Sequence, residues 1–470
     1  MTACSAVLVV LATGLAQAQT PDTSPPSTTT PASTAPVSTA PVSTTTSTAV
    51  AATTTIAPIG PIASTEPAAP RTPATYVADA LGFIERYAYR VPRVDWPAIK
   101  AQAEQRAALT RTISDTYPII ADTVKALGDR HSSFTKPVDA TIQTAGNYNG
   151  FGFLASMPGR IVVTIAAGGP AARAGLRVGD RIDRVNGDAP KATGNALAVG
   201  RNPDGSLAEK AVLKVARPGT RRALTLTLRR GTVTLVSIPV TQPPPKVVIP
   251  PELAYLDVPG IVGDAAAQQS FANQVQTLIR GLDTGARCGW IVDLRRNRGG
   301  YIYALLAGLG PLAGEGLVGG SRNATGELTG WTYRGGAVFA GNEPTVSVVT
   351  PYVLRRPGAP VAVLTSGLTA SAGEASVIIF RGLANARSFG EPTIGLTTFN
   401  VRKTLADGAF LDITTAVDVD RNGTSYEGPV APDEPVAIDW AAINTGNDAA
   451  VQAASNWLRA QPACAPPPAP

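Results

Sequence analysis

From Leu253 onward, continuous apolar runs alternate with amphipathic stretches, and no other feature of the chain narrows its fold as far. The apolar runs are Leu253–Val258, Gly289–Leu294 and Val361–Thr365. The helical patterns cover Asp264–Leu282, a segment from about Tyr301, and Ser371–Ala384. Strands apolar on both faces, each followed by a helix, predict a parallel sheet covered on both sides. In such sheets chemistry gathers in the loops at the carboxyl ends of the strands. The fold class is α/β.

Upstream, the pattern changes several times. Residues 1–18 carry an apolar stretch ending in Ala16-Gln17-Ala18, the small-x-small pattern of a secretory leader. Residues 19–74 are Thr, Ser, Pro and Ala with almost no charge, too few apolar groups to offset ordering entropy. Extended, this linker would span on the order of 150 Å. Helical spacing at Val77, Ala80, Leu81, Ile84 and Tyr87 opens a helical unit over 75–147, with Asp95 as an N-cap before Trp96-Pro97 and a third helix from Ser114 to near Gly128. Short alternating strands fill 148–240, where Asn186-Gly187 marks a hairpin turn. A Pro-rich linker at 241–252 precedes the α/β unit at 253–460, and 461–470 is a Pro-rich tail.

Composition excludes several classes. The formal charge is +6, but the 40 Lys and Arg are spread along the chain without a run of nucleic-acid type, so no nucleic-acid partner is expected. No later stretch of about 18 apolar residues predicts a membrane span. Beyond the leader only Cys288 and Cys464 remain, too few for a cysteine-rich metal site. A single bridge between them is possible, but Cys288 opens a very apolar strand, and a buried thiol is the expectation. No metal or organic cofactor is required.

Two loops at the strand ends hold the candidate chemistry. Asp293-Leu-Arg-Arg-Asn-Arg-Gly-Gly300 ends in two glycines, which allow close backbone approach. Thr369-Ala-Ser-Ala-Gly-Glu374 places Ser371 at a helix start, where the Ala372 N–H would be an unpaired donor. Taken alone, Ser371 and Glu374 fit a capping box. A serine nucleophile needs a base, and the only histidine is His131, in Asp129-Arg-His-Ser132 after the third helix.

These motifs in this order resemble the carboxy-terminal-processing, or tail-specific, serine peptidases. The block at 148–240 resembles a PDZ domain inserted before the catalytic unit. The resemblance implies a catalytic domain of the ClpP/crotonase-like βαβ superhelix type, with Ser371 as nucleophile. One branch of the family supplies a lysine 25 residues later; that position is Leu396 here, and Lys403 is the nearest alternative. The other branch, which includes the tricorn core and retinoid-binding-protein-like relatives, uses a histidine in a turn like that of His131, and adds a late carboxylate whose match is Glu427. The resemblance further implies an oxyanion site from Gly299 or Gly300 with Ala372, and a peptide-carboxylate loop at Gly150, Phe151, Gly152 and Phe153. Arg298 stands where the family commonly has Pro, and Pro429 where it has Gly. The expected activity is that of an exported serine endopeptidase, periplasmic or extracellular, acting on extended or unfolded polypeptide. The alternatives are an inactive peptide-binding scaffold and a Ser–Lys peptidase using Lys403.

Overall fold

The computed structural model describes residues 72–465 except 145–146, 157–158, 194–195, 199–207, 235–247 and 444–445. The leader, almost all of the uncharged linker, most of the 241–252 linker and residues 466–470 lie outside these.

Five strands, Leu253–Asp257, Gly289–Asp293, Val361–Thr365, Ala386–Gly390 and Glu434–Pro435, pair in that order, all parallel. Their period-two alternation sorts side chains onto two cores. Leu256, Val292 and Val363 face helices Ala265–Leu282, Ile302–Ala313 and Ala372–Ile378. Tyr255, Ile291 and Leu364 face the C-terminal helix Ala449–Arg459. The helix that begins after Ser371 is shorter than its sequence pattern and stops at Ile378. Arg421 donates to the Ile379 carbonyl at 2.6 Å, and Gly382 turns the chain at φ +78°.

A second, antiparallel sheet of eight strands was not foreseen; its long strand Phe410–Asp420 pairs with four others. One partner is the short strand Ser133–Thr135, which begins two residues after His131. The helices Pro73–Tyr87, Trp96–Ala107 and Tyr117–Ala126 share one apolar core with Leu405, Leu411 and Ile413. The helical unit is therefore packed onto this sheet, and its first helix has Thr72 as N-cap, ahead of the expected Thr75.

Cys288 and Cys464 form a disulfide with Cα atoms 5.0 Å apart, which corrects the expectation of a buried thiol. It ties the parallel sheet to the turn after the C-terminal helix. With a sequence separation of 176, the pairing has no local sequence signal.

Candidate active site

Ser371 stands between the strand Val361–Thr365 and the helix Ala372–Ile378. Its backbone is at φ +54°, ψ −126°, a conformation that costs a non-glycine residue roughly 1–3 kcal/mol. A serine serving only as a helix cap adopts ordinary extended angles. Part of a capping box is present: the Ser371 N–H donates to Glu374 Oε2 at 2.9 Å. The reciprocal half is loose, because the Glu374 N–H donates to the Ser371 carbonyl at 2.7 Å. Glu374 is fully buried and also accepts from Thr393 Oγ1, Gly395 N–H and Leu396 N–H. Burial pushes its carboxyl upward, against the pull of those four bonds. Leu396, where the lysine branch places its base, thus serves through its backbone.

The glycine loop lies directly against this turn. A Cβ on Gly299, at φ +86°, would sit 2.8 Å from Ala372 N and 2.8 Å from Ser371 Cβ. Asn297 ties the pieces together: its Oδ1 accepts the Gly299 N–H at 2.8 Å and its carbonyl accepts the Ala370 N–H at 3.0 Å. Its Nδ2 donates to the Val258 and Pro259 carbonyls. The Gly299 N–H is therefore already engaged. Among the described residues no hydrogen bond takes up the N–H of Gly300 or of Ala372, the first residue of its helix.

Beneath the loop, buried Arg295 bridges Asp293 at 2.6 Å and Asp448 at 2.8 Å, and Tyr255 donates to Asp293 at 2.6 Å. Burial pushes the Asp293 carboxyl up, but the Arg295 charge outweighs it and leaves the pKa at about 2.

His131 enters from the helical unit. Asp129 Oδ1 accepts the N–H groups of His131 (2.9 Å) and Ser132 (2.7 Å), and Arg130 takes a left-handed φ of +61°. Ser132 Oγ donates to Asp129 and accepts from the Thr414 N–H, so the turn is anchored on the long antiparallel strand. Asn400 Nδ2 holds the His131 carbonyl at 3.1 Å. The imidazole Nδ1 is 2.6 Å from Thr398 Oγ1. A cavity of about 90 Å³ is lined by His131, Gly300, Ser371, Ala372, Thr398 and Asp418. No direct hydrogen bond joins His131 to Ser371. Burial lowers the imidazole pKa below 6.5, opposed by the charges of Asp129 and Asp412, which favours the neutral base at pH 7.

Residues 252–436 match the family model described as peptidase family S41, and 161–217 match that of a PDZ domain. Residues 252–436 form a peptidase family S41 domain. Among curated relatives, the nisin-resistance protein of Lactococcus lactis subsp. lactis is 29% identical over 218 residues, 46% of this chain and 63% of that protein. Carboxyl-terminal-processing peptidase 2 of Arabidopsis thaliana, chloroplastic, is 26% identical over 344 residues, 69% of this chain and 62% of that one. The chain thus spans under two thirds of the length of either relative. A solved lipoprotein structure from Streptococcus agalactiae superposes with a TM-score of 0.51 at 18% identity, covering 83% of this chain and 98% of that one. This likeness shows a shared fold.

Two residues of the S41 domain lie elsewhere than the sequence pattern places them. Glu427 accepts from the Tyr89 hydroxyl at 2.8 Å and lies 3.8 Å from Arg93, half exposed; it bonds neither His131 nor Thr398. Lys403 pairs with Asp79 at 2.9 Å on the first helix and is not among the cavity's lining residues. Both outcomes have one cause, since the helical unit brings its own partners for these groups. Ahead of the PDZ-matched residues, Gly150 pairs with Gly231, and the Phe151 ring packs in one core with Val162, Ile182 and Val215. Gly152 and Phe153 face a separate cleft toward the S41 domain.

Thr398 and Asp418 were not singled out from sequence. Asp418 is 1% exposed, with Oδ1 unpaired. Burial first, and the Glu374 charge second, hold its carboxyl well above the usual range and favour the protonated acid. An Asp at an inward position of an otherwise apolar strand, Ala416-Val-Asp-Val419, was the available signal. Among the described residues no group of three or more His, Cys, Asp or Glu is disposed to hold a metal.

Proposed function

We propose that this chain is an exported serine endopeptidase acting on extended polypeptide, with Ser371 as nucleophile and His131 as base. The observation that supports it most is the strained Ser371 turn facing the same small cavity as the only histidine. With Nδ1–H donated to Thr398, Nε2 keeps the lone pair that removes the Ser371 proton. The alkoxide attacks the scissile carbonyl, and the N–H groups of Gly300 and Ala372 receive the oxyanion. His131 then protonates the leaving amine, and water, deprotonated by the same nitrogen, hydrolyses the acyl-enzyme.

Thr398 takes the orienting place given to a carboxylate in a Ser-His-Asp arrangement. Being uncharged, it stabilises imidazolium only as a hydrogen-bond acceptor; the negative field comes from Asp129 and Asp412. Residues 148–240 would hold the substrate's far end as a PDZ domain does, by strand addition. Export is supported by the Cys288–Cys464 bridge, since disulfides persist in oxidising compartments. No described helix is long and apolar enough to cross a membrane.

The missing direct Ser371–His131 hydrogen bond favours a second reading, a binding scaffold without turnover. A serine-directed phosphonate separates the two. Mass spectrometry is expected to find label on Ser371 of the wild type, and labelling and hydrolysis of an unfolded protein at least about 100-fold slower in His131→Ala. Binding of peptide with no labelling at all would establish the scaffold, and labelling unaffected by His131→Ala would remove the histidine from the mechanism.

A further inference from the structure

A cleft of about 570 Å³ separates the PDZ domain from the S41 domain. Gly152, Phe153 and Val163 line one wall, Arg296, Arg298 and Gly299 the other, and Gly300 lines both this cleft and the cavity of Ser371. The cleft thus adjoins the cavity of Ser371. Its walls are mostly apolar, and its charged lining groups are Asp257, Arg296 and Arg298. Arg296 is bonded to Asp257, and both are largely buried. Arg298 has no ion pair or side-chain hydrogen bond among the described residues, and its side chain is exposed. An unpaired guanidinium in an apolar cleft is set to bind a planar anion by charge-assisted, bidentate bonds.

We propose that the cleft is a substrate subsite in which Arg298 selects peptides bearing a carboxylate close to the scissile bond. This rests on the peptidase reading. Arg298 is two residues from Gly300, and an extended substrate advances about 3.3 Å per residue, so the carboxylate lies within about three residues of the cleaved bond. It is either an Asp or Glu side chain or the free C-terminus of a short product-like end. Both present the same group.

The test uses the full chain and one quenched fluorescent peptide in four forms: Glu or Gln at each of the three positions flanking the cleaved bond, each with an acid or amide C-terminus. Binding is read by anisotropy in the Ser371→Ala background, and turnover as kcat/KM with Ser371 present. A carboxylated form is expected to bind roughly tenfold more tightly than its neutral counterpart. Arg298→Gln is expected to abolish that ratio and Arg298→Lys to retain part of it. The Glu/Gln and acid/amide pairs say which carboxylate is read. Equal binding of all four forms by the Arg298 protein overturns the subsite even if cleavage is observed, without recourse to any Arg298 variant. Selective binding lost in Arg298→Gln, with no cleavage of any form, would keep the subsite and sink the peptidase reading.

Discussion

The two halves of the candidate site are held in different ways. On the serine side, Glu374 carries four hydrogen bonds, Asn297 joins three chain segments, and Arg295 is fixed between two buried carboxylates. On the histidine side, one hydroxyl orients the ring, and the Asp129 turn hangs on a few bonds to one strand. A buried, fully bonded polar network specifies a single geometry, because each partner removed leaves another unpaired in low dielectric. The histidine side has one ring contact to lose. Nucleophile geometry is thus bound up with stability, whereas base geometry can change without unfolding the protein.

Arg295→Met is the strongest way to break this contrast. It strands Asp293 and Asp448 as buried charges and is expected to cost about 3–5 kcal/mol at pH 7, measured by urea unfolding. The pH dependence carries a definite sign. The folded-state pKa of Asp293, about 2, lies below the ordinary 3.8, so its stabilisation is present above pH 4 and fades as pH falls toward 2. The deficit of the Met variant should shrink on acidification, because its stranded carboxyls can take up protons. A pH-independent deficit would mean that Arg295 acts by packing alone.

Thr398→Val tests the other half. Stability should change little, while kcat/KM falls about 10- to 100-fold as the imidazole loses its orienting oxygen. In the wild type, activity should rise with pH around a midpoint below 6.5, since burial lowers the His131 pKa. The valine variant should move that midpoint further down, because imidazolium Nδ1–H then has no acceptor. A pH–rate profile with unchanged midpoint and rate would assign Thr398 no part in the site.

The smallest effect concerns strain. Ser371→Gly and Ser371→Ala should both be inactive, yet Gly should be the more stable by about 1 kcal/mol in thermal unfolding, since only Gly relaxes at φ +54°. Equal stabilities would show that the turn stores nothing.

Local patterns were readable wherever a residue's neighbours in sequence are also its neighbours in space. The apolar runs of the strands, the helix starts and the position of the Ala372 N–H follow from patterns within a few residues, although the strands themselves pair with distant ones. The Asp129-to-Ser132 turn is likewise closed by its own side chain. The sequence was silent where a group had to choose among distant partners. Glu427 found Tyr89, Lys403 found Asp79, and Cys288 found Cys464. Gly299 and Gly300 were indistinguishable as donors until Asn297 engaged one of them.

By itself, then, the order of residues determined which elements form and which loops collect at the sheet's carboxyl edge, because backbone geometry and apolar periodicity act over one or two turns. Which imidazole nitrogen meets Thr398, and that Asp418 shares the cavity, was decided only when the helical unit docked on the second sheet. Those placements depend on three-dimensional packing and on the desolvation it imposes, neither of which has a period along the chain.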